Sequence, residues 1–162
     1  MRKMDTYGLK MCSYQAELFK QSAERQKCSS GIFIRRFMNS DLSDRIDSDG
    51  FFYESTGIPD AFYELDTQYG LIEYGRIKYS ADELYWIGYI YRYWSYVTGM
   101  SSKQLYKIIK PDELRKLFYP YHSLDPKQAI ERISDSKGLV DETDIARGVV
   151  IMRRIRNMAK GR

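Results

Sequence analysis

Between residues 80 and 99 apolar side chains recur every three or four positions, and Tyr85-Trp86-Ile87-Gly88-Tyr89-Ile90-Tyr91-Arg92-Tyr93-Trp94-Ser95-Tyr96 places seven aromatic residues in twelve positions. The period is helical. Ser80-Ala81-Asp82-Glu83 reads as a capping box, in which the serine oxygen accepts from an early helical amide while the glutamate reaches back to the serine amide. Gly99 then supplies a left-handed stop. Along the predicted helix Trp86, Ile90, Tyr93 and Val97 form one line and Leu84, Ile87, Tyr91 and Trp94 a second, leaving Tyr85, Tyr89 and Tyr96 on a third side. A helix apolar nearly all round is normally enclosed by other helices. The tryptophan lines are therefore expected inside, with Tyr85, Tyr89, Arg92 and Tyr96 left for a partner, since tyrosine and arginine are enriched at interfaces.

The same reading covers the rest of the chain. Leu9, Cys12, Ala16, Phe19 and Ala23 form a thin stripe over residues 9 to 27, with Gln15, Glu17, Lys20 and Glu24 opposite. Ser29-Ser30 cap a second helix with Ile34, Phe37, Met38, Leu42 and Ile46 inside, running to Asp47–Gly50. Residues 48 to 58 connect it to a short helix opened by Pro59, lined by Ala61, Phe62, Leu65 and Tyr69, and stopped at Gly70. Residues 71 to 79 favour extended backbone around Gly75, either a short β-hairpin or an arm. Ser101 to Gln104 offers a second capping box for a helix through Ile109, Pro111 opens another, Asp125-Pro126 starts one to about Asp135, and Asp141 to Asp144 precede a last one carrying Ile145, Val149, Met152, Ile155 and Met158. The expectation is a mainly α, single-domain, multi-helix bundle around the aromatic helix.

Composition narrows the class. The 162 residues, 43% of them apolar, suffice for one core. Cys12 and Cys28 fit neither zinc spacing nor a disulfide scaffold, so reduced thiols in a cytoplasm are expected. No apolar signal core follows Met1-Arg2-Lys3-Met4-Asp5, and Arg92 interrupts the longest apolar run, so neither secretion nor a membrane span is predicted. The net charge of +4 hides a division: residues 41 to 73 carry nine acids against one base, Arg45. The remainder is strongly basic, and it ends in Arg147, Arg153, Arg154, Arg156, Lys160 and Arg162 with no acid after Asp144. Such a run can hold phosphates or dock on an acidic protein surface.

Candidate chemistry is sparse. His122, the sole histidine, stands beside Ser123 and Asp125, but triads are assembled from separate elements, and a turn histidine capping the next helix is the simpler role. Asp82-Glu83, Asp112-Glu113 and Asp141-Glu142 all fall at predicted helix starts, where carboxylates complement the dipole. No glycine-rich phosphate loop joins a strand to a helix. No enzyme, cofactor or metal is therefore expected.

Two resemblances supply functional expectations. Ser95, Gly99, Met100, Leu105 and Ile108 stand at the spacing of the helix-turn-helix family of DNA-binding motifs. This resemblance implies that Ser102, Lys103, Gln104, Tyr106, Lys107 and Lys110 lie on or beside a groove-facing helix; Arg153, Arg154 and Arg156 of the basic end would aid phosphate contact by their charge. Pro111 ends that helix early, a departure from the family pattern. Separately, Ser30-Gly31-Ile32-Phe33-Ile34-Arg35-Arg36-Phe37-Met38, the block Leu84 to Trp94, and Tyr119-Pro120-Tyr121-His122-Ser123-Leu124-Asp125-Pro126 are together similar to small bacterial proteins of toxin–antitoxin-type gene pairs, over about residues 30 to 135. That likeness implies a non-catalytic antitoxin that binds and silences a toxin enzyme encoded alongside it, and also binds its own operator DNA. A homo-oligomer is compatible with both.

Overall fold

In the computed structural model, which describes residues 2–48, 50, 51, 53–139, 156 and 158–160, the chain is mainly helical. Helix α1 spans Thr6–Arg25 and begins ahead of its apolar stripe, because the Asp5 carboxylate accepts from Gly8 N at 2.8 Å and caps it. Its buried face comprises Gly8, Met11, Cys12, Gln15, Ala16, Leu18, Phe19 and Ser22. The face is rotated from the predicted stripe. Leu9 is 44% exposed, whereas Gln15, expected outside, is fully buried.

The single helix predicted from residue 29 to 47 is two helices, α2 (Ser30–Met38) and α3 (Asp41–Asp47). Ser40 makes the break. Its hydroxyl accepts from Ser43 N at 3.0 Å and donates to Phe37 O at 2.7 Å, offering the backbone a new N-cap in place of continued helix. The predicted stripe survives the break, since Ile34, Phe37, Met38, Leu42 and Ile46 are all buried. Helix α4 (Ile58–Tyr69) carries Pro59 in its first turn and stops at Gly70, whose φ is 76°.

Residues 71–79 form an extended arm and no strand occurs among the described residues, so the hairpin alternative does not hold. Ser29 N and Ser30 N, at the start of α2, donate to Tyr74 O and Ile77 O. Arm carbonyls that a hairpin partner would use are thus taken by the free amides of a helix terminus instead.

Helix α5 (Ala81–Thr98) matches the predicted aromatic helix, with the Ser80/Glu83 capping box at one end and Gly99 at φ 74°, ψ 5° at the other. Helices α6 (Ser102–Ile108), α7 (Pro111–Tyr121) and α8 (Pro126–Ser136) follow. Helix α5 is enclosed by α1, α6, α7 and α8. It runs antiparallel to α1 at close range: a Cβ on Gly88 would come within 2.9 Å of Gln15 O and 3.0 Å of Ala16 Cα. Beyond this crossing, Phe19 meets Phe33 and Phe37 edge to face, with ring centroids 5.6 and 5.1 Å apart. The last predicted helix lies outside the described residues, apart from residues 156 and 158–160, which are helical. No described helix is long and apolar enough to cross a membrane.

Candidate interaction surface

The i, i+4 spacing of Tyr85, Tyr89 and Tyr93 puts three phenol rings on one side of α5. Tyr85 and Tyr89 stack with centroids 6.4 Å apart at 23°, and Tyr89 and Tyr93 at 6.4 Å and 29°. Tyr85 is 36% exposed; Tyr89 and Tyr93 are half-buried. Burial pushes the Tyr89 phenol up to about 12, so its hydroxyl stays a hydrogen-bond donor even where an exposed tyrosine would ionise.

Tyr85 borders two grooves. One, of about 660 Å³, is walled by Trp86, Tyr89, Phe118, Tyr119, Leu124 and Pro126, with His122, Lys20 and Asp82 completing it. Phe118 meets Trp86 edge-on at 5.9 Å and stacks on His122 at 4.6 Å, which fixes this wall. Tyr119 is left 84% exposed. The second groove, of about 700 Å³, lies between α1 and the segment before α4, and is lined by Leu9, Tyr14, Tyr53 and Ile58 with Lys10 and Glu17. Tyr14 is held by donation from its hydroxyl to Thr56 O at 2.9 Å, and burial pushes its phenol up to about 12. Apolar, concave and rimmed by single charges, the grooves have the make-up of surfaces that accept another molecule's side chains.

Of the residues assigned to this face from sequence, Tyr85 and Tyr89 belong to it and two others do not. Tyr96 turns toward the start of α1, where its hydroxyl donates to Asp5 at 2.8 Å and the Arg2 guanidinium lies 4.3 Å above its ring. Tyr93, assigned inward, takes its place. The i+4 spacing from Tyr89 was the available signal, and the apolar line through Ile90 and Val97 masked it. Trp86, Phe118, Tyr119 and His122 were also missed, because their meeting depends on how α7 folds back on α5.

Arg92 is 2% exposed and points into the molecule, not toward a partner. Its guanidinium donates to Gln15 Oε1 and Asp47 Oδ1, both at 2.8 Å, to Ser102 Oγ at 3.0 Å and to Ser95 Oγ at 3.3 Å. Four helices meet on one cation. Asp47 in turn accepts from the Ser102 amide and hydroxyl at 2.8 Å each, which anchors the start of α6. The buried charge is matched by a carboxylate and hydroxyls, as burial requires.

The corner after Gly99 places Ser95, Met100 and Leu105 inside, with Ser95 Oγ donating to Met100 O at 2.6 Å. Ser102 is 1% exposed and committed to Arg92 and Asp47. Gln104 closes the capping box on Ser101 N at 2.9 Å. Lys103 sits 3.2 Å from Asp44, Lys110 covers the half-buried Tyr106 ring at 4.0 Å, and Lys107 is exposed. The three lysines thus face water while Ser102 and Gln104 serve the fold. Arg153 and Arg154 lie outside the described residues; Arg156 is exposed.

His122 ends α7 rather than capping the following helix. Its amide donates to Phe118 O at 2.8 Å, and Nδ1 lies 2.9 and 3.0 Å from Phe118 O and Tyr119 O, an arrangement only a protonated Nδ1 satisfies. Asp125 caps α8 by accepting from Lys127 N at 2.9 Å. Cys12 and Cys28 are free and buried, and burial pushes the Cys12 thiol up to about 12.

Fold and surface together define a mainly helical protein with an aromatic, twin-grooved face. No protein-family model, curated protein sequence or solved structure matches the chain.

Proposed function

We propose that this chain is a non-catalytic interaction protein of antitoxin type, whose Tyr85–Tyr89–Tyr93 face and adjoining grooves bind a toxin enzyme encoded alongside it. The observation that carries the reading is Tyr85, an exposed ring standing between two apolar grooves on the most enclosed helix of the fold. Rings stacked on a rigid helix lose little conformational freedom on binding, and tyrosine combines apolar area with a polar tip. Aliphatic or aromatic anchors from the partner would fill the grooves, with Lys20, Asp82, Lys10 and Glu17 setting orientation at their charged linings. Co-expression with the adjacent gene tests this. The neighbour is expected to be toxic alone, harmless with this chain, and recovered bound to it; a harmless neighbour that does not bind would sink the proposal.

A second reading, DNA binding at the α5–α6 corner, draws support from three exposed lysines spread along α6 and just past it, Lys103 in its first turn, Lys107 in its last and Lys110 beyond its end. It predicts binding to the upstream DNA that weakens steeply with salt, and a Lys103→Ala, Lys107→Ala double variant with a salt slope lower by about 2. Unchanged affinity and slope in that variant would remove it.

A further inference from the structure

Residues 71–79 link α4 to α5 as an arm with three apolar side chains in water, Leu71 87% exposed, Tyr74 72% and Ile77 64%, while Ile72 is half-buried and Tyr79 buried. One edge is tied down. Ser29 N donates to Tyr74 O and Ser30 N to Ile77 O, both at 3.0 Å, and Tyr79 N donates to Ser30 Oγ at 2.9 Å. Carbonyls three residues apart point to opposite edges of a regular strand. Gly75, at φ 82°, turns the chain between them, so both face the start of α2. By alternation from these anchors, the N–H and C=O groups of Leu71, Glu73, Arg76 and Lys78 fall on the outer edge. No amide from residue 71 to 78 donates to another described residue. An unpaired edge bearing exposed apolar side chains is a template for strand pairing.

The arm is complementary to itself. We infer that two copies of this chain pair antiparallel through residues 71–78, about a two-fold axis that sets Glu73 of one opposite Arg76 of the other. In that register Ile72 lies opposite Ile77 and Tyr74 opposite Gly75, and symmetry repeats each pairing. Opposite charges are favourable cross-strand neighbours, and Ile77 gains apolar cover opposite Ile72. The outer-edge groups of 73 and 76, and of 71 and 78, are the ones brought together. A slip of one residue either way separates both the ion pair and the isoleucines. Among the described residues the Glu73 side chain pairs with Lys27 alone, at 3.2 Å between side chains 75% and 80% exposed, a contact too weak to hold it back.

Sedimentation velocity over a concentration series tests the inference. The unaltered protein is expected to dimerise; Glu73→Arg and Arg76→Glu should each weaken the dimer about tenfold, because each sets like charges opposite one another twice. Combining the two restores opposite charges and should restore the dimer. Both substituted positions are exposed, so circular dichroism should stay that of the unaltered protein. A monomer at every concentration, or a double variant no better than the single ones, would overturn the pairing. So would a dimer lost in Tyr85→Arg but kept in both arm variants, which would assign self-association to α5.

Discussion

Arg92 joins Gln15, Asp47, Ser95 and Ser102 while 2% exposed. Deleting one member of a buried ion pair leaves the other charge uncompensated, so Arg92→Ala is expected to lower the unfolding free energy by about 3 kcal/mol or more. Urea denaturation checks this, and a change below about 1 kcal/mol would mean that water already screens the pair. Cys12 gives a second reading at the same scale. With its thiol pushed up to about 12 by burial, and Cys28 also buried, neither should react with Ellman's reagent in the native protein, and both should react once it is unfolded. Residue identity alone pointed the other way for Arg92. An arginine amid aromatics reads as an interface residue, and its partners lie 77, 45 and 10 positions away in sequence. Gln15 was misplaced for the same reason: a polar residue is assigned to water unless its buried partner is known.

At the scale of elements, caps and stops were legible because their chemistry is local. Ser80/Glu83, Ser101/Gln104, Gly99 and Asp125-Pro126 all act within four residues, and each helix end they define is found in the structure. The break at Ser40 was not legible, since the apolar stripe continues across it. The α1–α5 crossing was equally hidden, although glycine at position 88 of an otherwise bulky helix is its trace. Gly88→Ala would drive a methyl into the backbone of α1 and should destabilise by about 2 kcal/mol, whereas the atoms nearest a methyl on Gly8 belong to side chains, the Tyr96 ring and Met4 Sδ, which can shift, so Gly8→Ala should cost less. Equal losses in thermal denaturation would contradict this ordering.

Carboxylates at helix starts predict the acid limb of stability. Burial alone would raise Glu83, but hydrogen bonds from the Ser80 amide and Arg115 hold it below the ordinary glutamate range. Lys137 does the same for Glu113. Groups depressed on folding contribute stability that is full above their unfolded values, about pH 4.3, and is lost as pH falls through the lower folded values. The urea midpoint should therefore hold down to about pH 5 and then decline, with Glu83→Gln flattening the decline. A midpoint that rises on acidification would contradict these assignments.

For the whole molecule, the mainly helical class followed from periodicity, and the enclosure of α5 followed from its lack of a polar side. The grooves did not. They arise where α7 and α8 fold beside α5 and where Tyr53 and Ile58 come against α1, contacts that no local pattern records. The charge division also changes meaning in three dimensions. Asp47 and Glu64 are bound by Arg92 and Arg45, and Asp44 by Lys103, so the acidic segment serves the fold in part before any partner arrives. The surface proposed for the toxin partner is the tyrosine face.

That face is tested most directly by isothermal titration of the adjacent gene's product into this protein and into its Tyr85→Arg variant, with matched circular dichroism. Binding by the unaltered protein that is weakened at least about tenfold in the variant is the predicted result. Equal affinity for both would contradict the assignment of the interface to α5.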